Sequence, residues 1–342
     1  MVTIRQIAEE ARVSAATVSR ILNADTTLSV TDETRERVNR IANKYNYRTR
    51  QQKKAPDKHH FSVALLMSHS LERENNDDYW RHIKQGIYEE AQRRGINVAY
   101  SARFIEGVDL SRLRNYDALI VTGPISRAAV YELKAINQNI VLVDAGGVHY
   151  DDIDDVTPNL GSMTRRILDE LRSTAQPNIA LVTGQNDLVD LDGQVRQVAE
   201  DIRTTTYYQW CREHRLTSIV KSGSWDPQFG VDAAEELMHE APKLDAIVVA
   251  SDPLAVGVLK VLKEYNLVPG KDISVVSFGD LELVNYIAPL LTTVRLEHFK
   301  IGHAAVRLAE DLARKNRDWV SWVTIPTQLI YRETFTKKQI KR

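Results

Sequence analysis

Apolar positions follow two regimes along the chain. Up to about residue 47 they recur at helical spacing; from Phe61 onward they gather in short runs separated by helical stretches. In the first regime Ile4, Ile7, Ala8 and Ala11 stand at i, i+3, i+4 and i+7, the buried stripe of one helix. Thr3 and Gln6 frame its start as a capping box, each satisfying an orphan amide of the other. Ser14 is a second N-cap, opening a helix over residues 15–23 that turns Val18, Ile21 and Leu22 inward. A third helix over residues 31–45 buries Val38, Ile41, Ala42 and Tyr45. Two helices joined by three or four residues, the second with a small and polar outer face, fit a helix-turn-helix. On that face Ala15 and Ala16 let the backbone approach a major groove. Arg20 can fork onto guanine there, and Ser14, Thr17, Ser19 and Asn23 can bond phosphates or base edges. The competing reading of the same pattern is a plain three-helix mini-core.

The second regime predicts strands at 63–67, 98–100, 118–121, 140–143, 179–182, 219–220, 246–249 and 273–278. Buried runs of that length alternating with helices imply parallel sheets built from βαβ units. Eight such runs exceed one comfortable sheet and suggest two doubly wound halves. Residues 48–60 between the regimes are too polar to bury themselves and form a basic linker. Phosphate-loop, dinucleotide-loop, nucleophile-elbow and zinc-helix patterns are missing, so the body is expected to bind rather than to catalyse. Asp151, Asp152, Asp154 and Asp155 read as a solvated loop rather than a cation site. No metal and no cofactor are expected.

Charge sharpens the division. Residues 1–58 hold 12 Lys and Arg against 7 acidic residues, a balance of +5, while the chain of 342 residues carries −1, which leaves −6 for the remainder. A basic head on an acidic body suits a polyanionic partner, although a solvated basic surface gives the same sum. The single Cys211 excludes an intrachain disulfide. No apolar run approaches the ~20 residues of a membrane span. Glu9, Glu10, Arg12 and Arg20 stand where a signal peptide has its apolar core, so a cytoplasmic location is expected.

The run Val2-Thr-Ile-Arg-Gln-Ile-Ala-Glu-Glu-Ala-Arg-Val-Ser-Ala-Ala-Thr-Val-Ser-Arg-Ile-Leu-Asn23, continued by Thr34-Arg35 and Asn46-Tyr47, resembles the N-terminal domain of the LacI/GalR family of repressors. Looser likenesses follow in the body at Tyr79-Trp80 with Ile83, Gly86 and Ile87, at Gly223-Ser224-Trp225 with Gly230, at Ala250-Ser251-Asp252 with Gly257, and at Leu291 to Arg295. The overall look is nearest to the evolved β-galactosidase repressor branch. The resemblance implies an all-α helix-turn-helix domain at 1–47, a basic hinge or linker at 48–60, and an α/β two-lobed periplasmic-binding-protein-like domain at 61–342. Lobe 1 would comprise about 61–158 and 294–320, and lobe 2 about 159–290 and 322–333.

By the same resemblance the head binds operator DNA through Thr3, Ser14, Ala15, Ala16, Thr17, Ser19, Arg20 and Asn23, with Arg50 and Lys54 contacting DNA from the hinge. The hinge departs from the family, having neither its Pro-Asn pair nor its leucine; it is either a basic hinge helix or a charged tether. The effector site implied between the lobes comprises Tyr79, Trp80, Asp144, Arg203, Trp225, Ser251, Asp252 and His298. Indole faces suit the apolar side of a sugar ring, and Arg and Asp suit its hydroxyls. Each residue has a plainer competitor: a surface ion pair for Arg203, a packed core ring for Trp225, a loop cap for Asp144 and Asp252. Gly279 stands where relatives often place a gripping carboxylate or amide, which leaves the ligand open. The expected function is a homodimeric, ligand-responsive repressor, of a sugar or galactoside operon. A purine corepressor or a protein partner remains an alternative effector, and a sugar-binding protein without a DNA role is the alternative from another class. The polar stretch after Arg332 lacks the leucine heptads of tetrameric relatives, which favours dimers.

Overall fold

The computed structural model describes residues 3–22, 28, 30–45, 47, 61–76, 78–174, 178–240 and 243–336. The chain divides into two compact units, residues 1–60 and 61–342.

In the first unit α1 (Ile4–Ala11), α2 (Ala15–Leu22) and α3 (Asp32–Lys44) enclose a small core of Ile7, Ala8, Ala11, Val18, Ile21, Val38, Ile41 and Ala42. The Thr3–Gln6 capping box forms, with Gln6 Oε1 accepting from the Thr3 amide at 2.8 Å. Arg12 ends α1 in the left-handed region (φ 53°), and the chain turns there toward α2. From α3, Arg37 Nε donates to the Ala11 carbonyl at 3.1 Å and closes the end of α1. Tyr45 departs from expectation. It lies one residue past the helix and stands 39% exposed, with the Lys44 ammonium over its ring, rather than in the core.

The second unit holds two six-stranded sheets. In lobe 1, β1 (Ser62–Met67), β2 (Asn97–Arg103), β3 (Ala118–Thr122), β4 (Ile140–Val143), β5 (Asp154–Pro158) and β13 (Trp322–Ile325) run parallel in the order β13-β5-β4-β3-β1-β2. In lobe 2, β6 (Ile179–Gly184), β9 (Ile219–Gly223), β10 (Ala246–Val249), β11 (Ser274–Gly279), β12 (Thr292–Arg295) and β14 (Gln328–Ile330) follow the order β14-β12-β11-β10-β6-β9, with only β14 antiparallel. The central strands β4 and β10 are apolar throughout and β3 is so up to Thr122, as burial under helices on both faces favours. The chain crosses between the lobes after β5, after β12 and after β13. Two expected boundaries therefore move. Thr292–Arg295 lies wholly in the lobe 2 sheet, and Trp322–Ile325, expected in lobe 2, pairs with β5 in lobe 1.

The acidic stretch is also corrected. Asp154 and Asp155 sit inside β5 and are 1% and 3% exposed. Asp154 accepts from the Ser321 amide at 2.8 Å and pairs with Arg317, while Asp155 pairs with His149. Partners distant in sequence make that burial tolerable.

Two helix crossings set the closest approaches. Where α5 (Asp78–Arg94) crosses α11 (His298–Ala313), a Cβ on Gly86 would come within 2.5 Å of the Phe299 carbonyl oxygen. Gly230 and Gly257 play the same part between α9 (Pro227–Glu240) and α10 (Asp252–Glu264). Among the described residues no helix is long and apolar enough to cross a membrane.

Candidate functional site

Parallel doubly wound sheets present ligand sites outside the carboxyl ends of their strands, at the point where the winding reverses. Both lobes do so here toward one cleft. Lobe 1 contributes Pro124 after β3, Asp144 and Gly146 after β4, and Arg73, Tyr79 and Trp80 from the segment following β1. Lobe 2 contributes Asn186 after β6, Trp225 after β9, Ser251 after β10 and Leu281 after β11, while His298, the first residue of the helix that follows β12 and packs on lobe 1, completes the wall. The cleft encloses about 650 Å³ of non-atom space, part of it continuous with open solvent.

Asp144 takes a left-handed backbone (φ 49°) and accepts a 2.6 Å hydrogen bond from the Tyr79 hydroxyl. Burial raises its pKa, against the lowering effect of that hydrogen bond. On the facing side Asp201 caps α8 (Ile202–His214) and grips Arg203 with both oxygens, Nε to Oδ1 at 2.6 Å and Nη2 to Oδ2 at 2.8 Å. Arg203 Nη1 donates to the Ala250 carbonyl at 2.8 Å. Burial alone would lower the guanidinium's pKa; the Asp201 carboxylate overcomes it, and the net shift is upward. Arg203 Cζ lies 5.2 Å from the centre of the Trp225 ring and 5.3 Å from that of Phe278, a charge held between aromatic faces.

Trp225 is itself fixed. Its Nε1 donates to the Gln185 carbonyl at 2.7 Å, and Gly184 lies so close beneath the indole that a Cβ there would run into the ring. Trp80 stacks on His69 with centroids 4.8 Å apart, and Tyr79 meets both Trp80 and His298 edge-on. Burial, with His82 nearby, holds the His298 imidazole down to about 3. Its Nε2 is buried and has no hydrogen-bond partner among the described residues.

Seven of the residues the resemblance implied, Tyr79, Trp80, Asp144, Arg203, Trp225, Ser251 and His298, line this one cavity. Asp252 does not. As the first residue of α10 it points its carboxylate behind the wall, accepting from Ser277 Oγ at 2.5 Å, Thr293 Oγ1 at 2.7 Å and the Leu281 amide at 2.9 Å. Its role is to tie β10, β11 and β12 together. Ser251 has two roles, lining the cleft while accepting from the Leu254 amide at 3.4 Å. Gly279 (φ 140°) lines the cleft where a side chain would strike Asp252, and the neighbouring Asp280 is engaged by Arg295 and Arg332. Sequence reasoning missed Arg73, Asn186, Asp201 and Phe278. Of these, Asp201 carried a legible signal, an N-cap two residues before the Arg it holds.

On the other unit, α2 turns Ala16 and Arg20 to solvent, with Ala15, Thr17 and Ser19 partly exposed. Thr3 and Ser14 are engaged as caps, Ser14 Oγ accepting from the Thr17 amide at 3.0 Å and lying 2.8 Å from the Thr17 hydroxyl. Their first task is thus to hold the helix ends. Asn23, Arg50 and Lys54 lie outside the described residues.

Comparison with known proteins agrees with both units. The family model of bacterial regulatory proteins, lacI family, matches residues 3–50, and a periplasmic binding protein-like domain model matches residues 168–335. The HTH-type transcriptional regulator GalR of Lacticaseibacillus casei is 30% identical over 338 residues, covering 97% of this chain and 99% of that protein. Among solved structures, a complex of the transcriptional regulator CelR with cellobiose has a TM-score of 0.68 at 22% identity, covering 98% of this chain and 100% of that one. The lac repressor dimer bound to operator and the anti-inducer ONPF has a TM-score of 0.68 at 22% identity, covering 98% and 99%. The chain, a helix-turn-helix head followed by a two-lobed body, belongs to the lacI family of bacterial DNA-binding transcriptional regulators.

Proposed function

We propose that this regulator is a cytoplasmic homodimer that represses a sugar-utilisation operon, and that a saccharide, a galactoside in the first instance, binds the cleft and changes operator affinity. One observation carries the reading. The cleft sets aromatic faces (Trp80, Trp225, Phe278) beside opposed polar grips, Asp144 with Tyr79 on lobe 1 and Asp201 with Arg203 on lobe 2. A pyranose has that division of surfaces, apolar C–H faces and a rim of hydroxyls. Because the grips belong to different lobes, a ring bridging them favours one lobe arrangement over another, which is what a population shift requires. The relative bound to cellobiose is in keeping with a saccharide.

On the DNA side Ala15 and Ala16 give the backbone of α2 close approach, and Arg20 reads a base edge. One head alone buries too little for useful affinity, so two heads on a near-palindrome are expected. Thermal-shift screening against mono- and disaccharides tests the ligand class, since binding to the native state raises the melting temperature. A galactoside that both stabilises the protein and alters its gel shift on promoter DNA supports the reading. A response to purines alone contradicts it.

A further inference from the structure

Most polar side chains of the cleft are already engaged by the protein itself. Asp144 accepts from Tyr79, Arg203 is held by Asp201 and the Ala250 carbonyl, Trp225 Nε1 donates to the Gln185 carbonyl, and Ser251 caps α10. Asn186 is not. It lines the cleft and is 5% exposed, yet its side-chain amide makes no hydrogen bond among the described residues. Such an amide carries two donors and an oxygen with two lone pairs, and burying it without partners costs stability.

The surroundings turn the amide to the cleft. A Cβ on Gly146 would lie 3.7 Å from Asn186 Nδ2 and 3.8 Å from Pro124 Cβ, so this lobe 2 amide reaches the ends of β3 and β4 on lobe 1. What lobe 1 presents there is a glycine without a side chain and a proline without an N–H. Neither side chain can bond the amide. The backbone beneath it is held from both lobes. Asn186 opens β7 (Asn186–Val189), pairs with Ala199 of β8 (Val195–Ala199), and follows Gln185, whose amide donates to the Gly223 carbonyl at 2.8 Å. Farther along, Val189 bridges to Ile125 of lobe 1, and a Cβ on Gly193 would come within 2.5 Å of the Phe104 carbonyl oxygen. A side chain fixed in place on such a backbone has the preorganisation that a ligand grip needs.

We propose that Asn186 is a further effector-binding residue, which bonds adjacent hydroxyls of the saccharide at the seam between the lobes, one as donor and one as acceptor. The saccharide part rests on the ligand class proposed above; that the amide serves a ligand rather than the fold does not. Asn186 differs from Asp144 and Arg203 in being uncharged and in offering both bonding senses from one group.

The test uses the full chain and pairs calorimetry with thermal melting, with lactose, galactose and cellobiose as probes. For a probe that binds the wild type, Asn186→Leu and Asn186→Ala should each weaken binding about tenfold, the scale of one or two neutral hydrogen bonds, and Asn186→Ser should fall between. Without ligand, Asn186→Leu should melt no lower than the wild type, because an apolar side chain of similar size removes the desolvation cost of the amide. A structural amide could not be replaced in that way. Unchanged affinity in the Leu and Ala variants, or a ligand-free melting temperature that falls in all three variants, would overturn the proposal. If none of the three sugars bound the wild type, the saccharide reading would fall, and melting would still decide the amide. A Leu variant that melts no lower than the wild type would uphold Asn186 as directed to a ligand, and a lower melting temperature would overturn it.

Discussion

Asp144 and Arg203 face one another across the cleft, yet their substitutions have different consequences. Asp144 tolerates its left-handed backbone, and Asn shares that tolerance, so Asp144→Asn keeps the shape and the Tyr79 contact. It should leave the melting temperature nearly unchanged while costing roughly 1.5–3 kcal/mol of effector affinity by calorimetry. Arg203→Ala removes the ion-pair partner that holds Asp201 among the described residues, a carboxylate only 5% exposed, and should cost about 3–5 kcal/mol of stability. The double variant with Asp201→Ala should recover part of that loss; a denaturant series showing full additivity would contradict the pairing. His298 gives the cleft a pH signature. Its native pKa of about 3 lies below the ordinary 6.5, so the unfolded chain binds the proton first. The stability from neutral His298 is fully present above about 6.5 and drains away as pH falls toward 3, roughly 2 kcal/mol of it by pH 5. Melting temperatures from pH 7 to 5 should therefore fall less for His298→Gln than for the wild type, and equal falls would contradict the buried neutral imidazole.

Among the elements, the hairpin of β7 (Asn186–Val189) and β8 (Val195–Ala199) has the broadest consequence. It leaves lobe 2 at a cleft residue, Asn186, and returns two residues before Asp201. Its far end rests on lobe 1: Val189, 5% exposed, enters the lobe 1 core, its carbonyl accepts from the Ser126 amide at 3.0 Å, and the Ser126 hydroxyl bonds Asp190. Val189→Ala should cost about 1–3 kcal/mol and raise amide exchange across residues 186–199 selectively. Uniform exchange changes would mean that the hairpin is not held there. The hairpin was within reach of the sequence, since Asp192-Gly193 is a strong turn signal between runs containing Leu188, Val189, Val195 and Val198. It was overlooked because β8 is largely exposed and shows no apolar run. β5 was missed for the opposite reason: Asp154 and Asp155 are buried by partners, Arg317, Ser321 and His149, that no local pattern reveals. Elements whose burial is written in their own residues, such as α1 with its stripe and cap or β4, were legible from end to end, and β3 up to its final Thr122.

For the whole molecule the same contrast holds between cleft and head. Seven cleft residues were reachable through resemblance, and four of them, Asp144, Trp225, Ser251 and His298, stand just past the ends of β4, β9, β10 and β12, where such sheets hold ligands. Arg73 was not, because it reaches the cleft by meeting Trp225 of the other lobe, a contact no local pattern reveals. On DNA, Arg20→Ala should lose roughly 1–3 kcal/mol and relax preference at one base pair per half-site while leaving effector affinity intact. Loss of neither affinity nor preference would remove α2 from the groove. In the mechanism proposed, occupancy of the cleft changes operator affinity. It is tested most directly by fluorescence anisotropy of labelled operator, at one fixed salt concentration, for wild type and Asp144→Asn with and without the saccharide found by screening. Both proteins should bind operator equally without ligand, and ligand should change the affinity of the wild type but not of Asp144→Asn at the same ligand concentration. A wild type whose operator affinity is the same with the saccharide bound, as established by calorimetry, would contradict it.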